Sequence, residues 1–517
     1  MRFRSPSLAS FACLAFLSAC GDNAPVYPPI VIVEVGANLG GTGNTGTGNT
    51  GTGNTGTGNT GTGNTTSTGG SGATGGGGST DPLYAHCAAF ANAPPPPVKT
   101  KCDLNALTDG GQLKGDITAD KTLKGGQSYT LSGVVRVVPG VKLTIEPCTK
   151  IIGENSDAVL VMQSSELGNP KRSCTYTSGT VTKPAAQLIA VGEPMAPIIF
   201  TSAKPAGQRA PGDWGGVLLL GNAHNDTATE GVRIPIEGLA QTECHGYYNK
   251  DYDTESSGHL EYVRIEYASR QVDVNNETNG LTFGSVGSGT EIHYVEVSNS
   301  ADDCMEWFGG SVNADHLISL NCDDDEFDND QGYSGRLQFL FGRQFPTTTE
   351  LGSRGLEIST GKGQLQILTT VSYSNYTLCG GGPTDKSTGD RAAAWFDQSA
   401  APSLMNGLMT GFNGPGLDGD NTGSPIFSHT RIFGEAKLSS EADFLTAFLG
   451  GTDNSTEDPD RFCDCWANPP APIAATTIPG GTPDGFADPT AAYIGAFADA
   501  KPGSNWMTGL WVDWSSK

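Results

Sequence analysis

Positive charge is scarce in this chain. Lys and Arg number 30 against 55 Asp and Glu, and the formal net charge is −25 over 517 residues. No nucleic-acid partner is expected, because phosphate binding needs a basic face. Helical periodicity is also nearly missing from Leu113 onward, and strands without hairpin spacing fit parallel stacking better than a sandwich. There is no Cys-x-x-Cys pair, and the seven histidines are scattered without metal-ligand spacing. No nucleophile-elbow motif surrounds a serine, and Gly380-Gly-Gly382 lacks the strand–helix setting of a phosphate loop. Beyond the N-terminus no apolar run reaches the length of a membrane span; Val31–Val35 is far too short.

What the chain has in excess is glycine, 72 residues, part of it in one tract and the rest in turns. The N-terminus reads as a secretion signal, with Arg2 and Arg4 before the apolar stretch Phe11–Leu17. It ends in Leu17-Ser-Ala-Cys20, followed by Gly21, which resembles the bacterial lipobox. That resemblance implies removal of residues 1–19 and lipidation of Cys20. Thr-Gly-Thr-Gly-Asn then repeats from Thr42 to Asn64, and residues 20–80 read as a flexible tether. About 40 such residues reach roughly 35 Å. The expected location is therefore the cell envelope, lipid-anchored, at the outer membrane or cell surface.

Ten cysteines remain after Cys13 and Cys20, an even number that implies disulfides in an exported chain. Cys87 with Cys102 is the most local pairing, closing a proline-rich loop in an N-terminal cap over residues 81–110. From there to about residue 430, short β-branched strands are cut by Gly, Asn and Pro-Gly without hairpin spacing. This reads as an all-β, right-handed parallel β-helix with coils near 22 residues, capped at both ends. Residues 431–517 form the C-terminal cap, with one helix over Ser439–Leu449 and Trp506, Trp511 and Trp514 shielding the last coil.

The most informative stretch is Tyr294–Gly332, which echoes itself at 22 positions. Asn299 falls on Asn321, Asp302 on Asp324, Asp303 on Asp325 and Glu306 on Asp328; the apolar positions Val295 and Val297 match Ile318 and Leu320 better at a slip of 23. Stacked coils bring such positions to about 4.8 Å. Ionised carboxylates so placed must raise their pKa, splay into water or share a cation. Asp302, Asp303, Asp324, Asp325, Asp328 and Asp330 are the candidate calcium ligands, with Glu306 and Asp323 in the same acidic ledge. The competing expectation is a solvated acidic turn.

Leu143-Thr-Ile-Glu-Pro147, Ile198-Ile-Phe-Thr-Ser202, Gly212-Asp-Trp-Gly-Gly216, Tyr262-Val-Arg-Ile-Glu-Tyr267 and the acidic stretch resemble a family of exported bacterial parallel β-helix proteins. Many are lipoproteins, and their fold is similar to that of pectate lyases. The resemblance covers roughly residues 110–345. The resemblance is strong for the fold and most members have no assigned activity; a polysaccharide or other surface polymer is the expected partner of the displayed coil. For a lyase the resemblance implies calcium-bound acid beside an Arg or Lys, for which Arg336, Arg343 and Lys362 are the nearest candidates. Tyr333 could contact a sugar ring, whereas Trp307-Phe308 are expected inside the coil. Binding, catalysis by a lyase or glycosidase, and a purely structural stalk all remain open from sequence.

Overall fold

The computed structural model describes residues 96–514, apart from 169–173, 177, 274–275, 346–352, 362, 364–366, 383–390, 421–422, 435–436, 440, 458–479, 484–487 and 498–505. The signal, Cys20, the tether, Cys87, Lys362, Cys463 and Cys465 lie outside these residues. Among the described residues no helix is long and apolar enough to cross a membrane.

Among the described residues, twenty-three strands form one continuous sheet that winds into a right-handed parallel β-helix with three faces. The first face runs from Lys121–Leu123 through Lys142–Ile145 and Gln187–Val191. It continues in the leading halves of Gly258–Glu266, Glu291–Ser298, Ala314–Leu320 and Arg336–Arg343. The second face holds Lys150–Gly153, Ile198–Ser202 and the trailing halves of the same long strands. The third is built from Val159–Met162, Val217–Leu220, Leu281–Val286, Met305–Gly310, Phe327–Asp330 and Leu356–Ile358.

Each strand alternates, so every second side chain enters the coil. Met305 and Trp307 point in, and Glu306 and Phe308 point out. Inside, Phe283, Trp307 and Tyr333 stack at centroid spacings of 4.9 and 5.6 Å. Each such ring contributes roughly 1.5–3 kcal/mol by leaving water. Phe308 corrects half of the sequence expectation: it packs outside the coil against Leu218, Leu220 and Ile236. Alternation forces this, because two adjacent strand residues cannot both face the core.

The bend between the first and second faces is made by non-glycine residues at positive φ. Tyr262, Tyr294, His316 and Phe339 occupy it with φ of 50°, 53°, 56° and 60°. Such a conformation is uncommon for bulky residues. Here it turns their rings outward into a stack with spacings of 4.5, 4.2 and 4.7 Å. The next corner carries Asn299 and Asn321, also at positive φ, and Asn321 Nδ2 donates to Asn299 Oδ1 at 2.9 Å.

The register of the central coils is 22: Val295 pairs with Leu317 and Glu306 with Asp328. The slip of 23 is wrong there, because the inward positions are Val295 and Leu317. The uniform 22-residue coil also fails elsewhere. Thr201 donates to Glu266 across 65 residues, since residues 222–257 leave the coil and form a lateral lobe. Cys102 pairs with Cys148, not Cys87, at a Cα–Cα distance of 5.5 Å, which ties the N-terminal segment to the first coils. Cys174 pairs with Cys244 and Cys304 with Cys322.

The helix is Ala442–Gly450; it starts later than expected because Ser439 Oγ turns the chain by accepting from the Glu441 backbone N–H. Phe444 and Phe448 cover the last coil by packing on Phe396 and Phe427. The three tryptophans do not cover that coil. Trp511 meets Tyr262 and Tyr294 edge-on, Trp506 meets His316, and Trp514 meets Phe341. The C-terminal segment is a strap along the flank, bonded to Asn406 through Gly481 and to Arg264 through Leu510.

Candidate functional site: an acidic face on the third side of the coil

The third face begins at the corners that follow Asn299 and Asn321. Because these corners lie one coil apart, Asp303 Oδ1 accepts the Asp325 backbone N–H at 2.8 Å. Asp325 in turn accepts the backbone N–H of Arg354 on the following coil. The carboxylate ladder thus ends in a cation, and Arg354 Nη1 lies 3.5 Å from Asp325 Oδ2 and beside Glu357. The Arg354 guanidinium also sits 4.5 Å from the centre of the Trp395 ring.

A parallel column runs outward from the strands themselves: Glu306, Asp328 and Glu357 are direct cross-strand neighbours. Two groups of carboxylate oxygens lie within 4.8 Å of one another, Asp302–Asp303–Asp324 and Asp303–Glu306–Asp328. Asp303 belongs to both. Glu306 accepts from Asn279 Nδ2. Asp328 Oδ1 is shielded from water without a hydrogen-bond partner.

Like charges at about 5 Å repel by roughly 3 kcal/mol at an effective dielectric near 20. Repulsion of this size, added to burial, raises the pKa values of the groups. Burial, then Asp324, pushes the Asp302 carboxyl up to about 8. Burial followed by neighbouring carboxylates keeps Asp303, Glu306, Asp325 and Asp328 well above the usual range. Asp330 rises to about 6, mainly through burial, and accepts from Ser359 Oγ at 2.7 Å.

Of the residues expected to bind metal, the structure gathers Asp302, Asp303, Asp324 and Asp328 and adds Glu306. Asp325 and Asp330 adjoin them but are held by Arg354 and Ser359. Asp323 is exposed at the corner. The expected substrate contacts are corrected. Tyr333 is fully buried, stacked on Trp307, with its hydroxyl donating to the Val312 carbonyl. Arg343 is buried on the second face against Phe345. Arg336 is exposed, but at the start of its strand on the first face. Closeness in sequence to the ledge did not mean the same face. Glu357 and Arg354 were missed because the coil that carries them is longer, placing Arg354 29 positions after Asp325.

Beside the acidic column, the lateral lobe builds one wall of a cleft of about 350 Å³ lined by Ile236, Glu237, His245, Asn276, Phe308 and Gln331. Glu237 is raised by burial and by its proximity to Glu277 and Asp330.

With this geometry in hand, the family is clear. Residues 115–443 match the pectate-lyase-like β-helix domain, and the chain belongs to that family. Among solved structures, the chain is similar to the crystal structure of pectate lyase Pel9A, at 11% identity over 68% of this chain and 88% of that one, with a TM-score of 0.28. It is also similar to a family 28 exopolygalacturonase from Yersinia enterocolitica, at 9% identity over 69% and 72%, with a TM-score of 0.20. No curated protein matches the chain.

Proposed function

We propose that the protein is a lipid-anchored cell-envelope β-helix that binds polysaccharide through its acidic third face, with calcium as the bridging ion. The observation that carries this reading is the pair of carboxylate groups sharing Asp303, one coil apart. Calcium takes several carboxylate oxygens in flexible geometry, and the unpartnered Asp328 Oδ1 fits that demand. Asp302, Asp303, Glu306, Asp324 and Asp328 would hold the ion. When bound, it would neutralise the face and offer open coordination to carboxylates of an acidic glycan. Glu237 and the lobe would border the chain in the adjoining cleft. Cys20 and the tether would hold the coil away from the membrane, at the outer membrane or cell surface.

The test is co-sedimentation with an acidic polysaccharide. Binding is expected with calcium and lost with chelator. Equal retention under both conditions would remove calcium from the reading, and no retention on acidic or neutral glycans would remove the polysaccharide.

A second reading is glycan cleavage. It is favoured by the cross-strand neighbours Glu306 and Asp328, both raised well above the usual carboxylate range chiefly by burial, which would supply a general acid. Hydrolysis would release reducing ends, whereas lyase action would release an unsaturated product absorbing in the ultraviolet.

A further inference from the structure

A second cluster of metal-binding side chains lies on the first face, away from the carboxylate ladder. His259 and Glu261 point outward from Gly258–Glu266, on either side of the inward Leu260. Glu291 and His293 point outward from the next strand, on either side of the inward Ile292. The register sets His259 against Glu291 and Glu261 against His293. The four side chains therefore form a checkerboard in which each histidine has a carboxylate along its strand and another across it.

The distances are short. His259 Nδ1 lies 3.3 Å from Glu291 and its Nε2 lies 3.4 Å from Glu261. The rings of His259 and His293 meet edge-on at 5.8 Å. One ligand atom from each of His259, Glu291 and His293 falls within 4.8 Å of the others. His259 Nε2 is shielded from water and makes no hydrogen bond.

One further contact distinguishes this cluster from a run of surface ion pairs. His293 Nδ1 is 2.7 Å from Asp315 Oδ2, and Asp315 Oδ1 is held by His316 Nδ1 at 2.5 Å. Asp315 is itself buried. A metal-binding histidine typically gives its second ring N–H to a carboxylate, which fixes the tautomer and presents the other nitrogen. Asp315 is placed to do this for His293, which would leave Nε2 as its ligand nitrogen.

We propose that His259, His293 and Glu291 bind a divalent transition ion of the zinc class, with Glu261 alongside and Asp315 as the positioning residue. Two imidazoles and a carboxylate suit zinc, nickel or copper, whereas calcium prefers oxygen alone. Three protein ligands on an exposed strand face leave a coordination position open to solvent or to a donor on another molecule. The site is independent of the acidic third face.

The experiment is calorimetric titration of the full chain with zinc chloride in excess calcium, which occupies the acidic face. One tight equivalent is expected. His259→Ala with His293→Ala should lower its affinity at least about 100-fold, and Asp315→Asn about 10-fold. Asp303→Asn with Asp328→Asn should leave it unchanged. Cobalt should give a visible absorption band that disappears in the double histidine variant. Glu291→Gln, at a side chain 63% exposed, provides a variant that keeps the fold if the double alanine does not. Absence of a tight equivalent, or its persistence in both His259→Ala/His293→Ala and Glu291→Gln, overturns the proposal.

Discussion

Two columns of stacked side chains run up this coil, and they differ only in chemistry. At the first bend Tyr262, Tyr294, His316 and Phe339 lie ring on ring. Around the next corner Asp302 and Asp303 lie beside Asp324 and Asp325, and Glu306 lies beside Asp328. The coil imposes nearly the same spacing on both. For rings that spacing is favourable, and each pair adds about 0.5–1.5 kcal/mol beyond burial. For carboxylates it is unfavourable, and with burial it raises their pKa values above the usual range. A β-helix thus multiplies whatever it repeats. The aromatic column stabilises and is covered by the strap; the acidic column costs stability and sits beside a cleft.

The comparison can be broken most strongly at Trp511, which is fully buried against Tyr262 and Tyr294. Trp511→Ala should lose about 3–5 kcal/mol in urea unfolding, through transfer and cavity terms. Next is the acidic column. Calcium at about 100 times its dissociation constant should stabilise the protein by about 2.7 kcal/mol. Asp303→Asn with Asp328→Asn should abolish that calcium-dependent rise, while the metal-free protein melts at or above the wild-type temperature because like-charge repulsion is relieved. A pH series sharpens the contrast further. Asp302 and Glu326 are raised to about 8 and Glu255 to about 7, each chiefly by burial. Between roughly pH 6.5 and 8 the unfolded chain has already released these protons and the folded chain has not. Metal-free stability should therefore fall as pH rises through this window. Buried His245, lowered to about 3, acts only below it. Asp302→Asn should flatten the slope; an unchanged slope would remove Asp302 from the account. The smallest effect is expected at Arg336→Ala, within about 0.5 kcal/mol and without loss of polysaccharide binding, because Arg336 is exposed on a different face.

The parallel coil was legible because its strands are short, β-branched and cut by turn residues, and because the acidic stretch repeats at the coil length. The echo of Asp302 in Asp324 and Glu306 in Asp328 needed no other information. Four things were not legible. Coil length changes wherever a loop leaves the sheet, so the columns through Arg354, Glu357 and Trp395 have no constant spacing in sequence. Tyr333 and Arg343 lie close to the acids in sequence but on the inside and on another face, which only the corner geometry decides. The histidines looked scattered because His259 and His293 come from coils separated by a hairpin, Arg270–Asp273 with Asn276–Thr278. The positive-φ bend at Tyr262 and Tyr294 carried no signal at all, since aromatic residues seldom adopt it.

The strap has a consequence for how the molecule comes apart. A solenoid held only by neighbouring coils can fray from either end, one coil at a time. Here one segment bonds in succession to Asn406, Gln338, Asn375, Thr377, Arg264 and Glu296. Coils far apart along the axis thereby share a common fastening, like pages sewn to one spine. Peeling away the last coil alone breaks only the contacts of that coil, whereas detaching the spine loosens the middle of the stack at once. Force applied at the C-terminus would therefore meet the whole row of fastenings before it reached a strand.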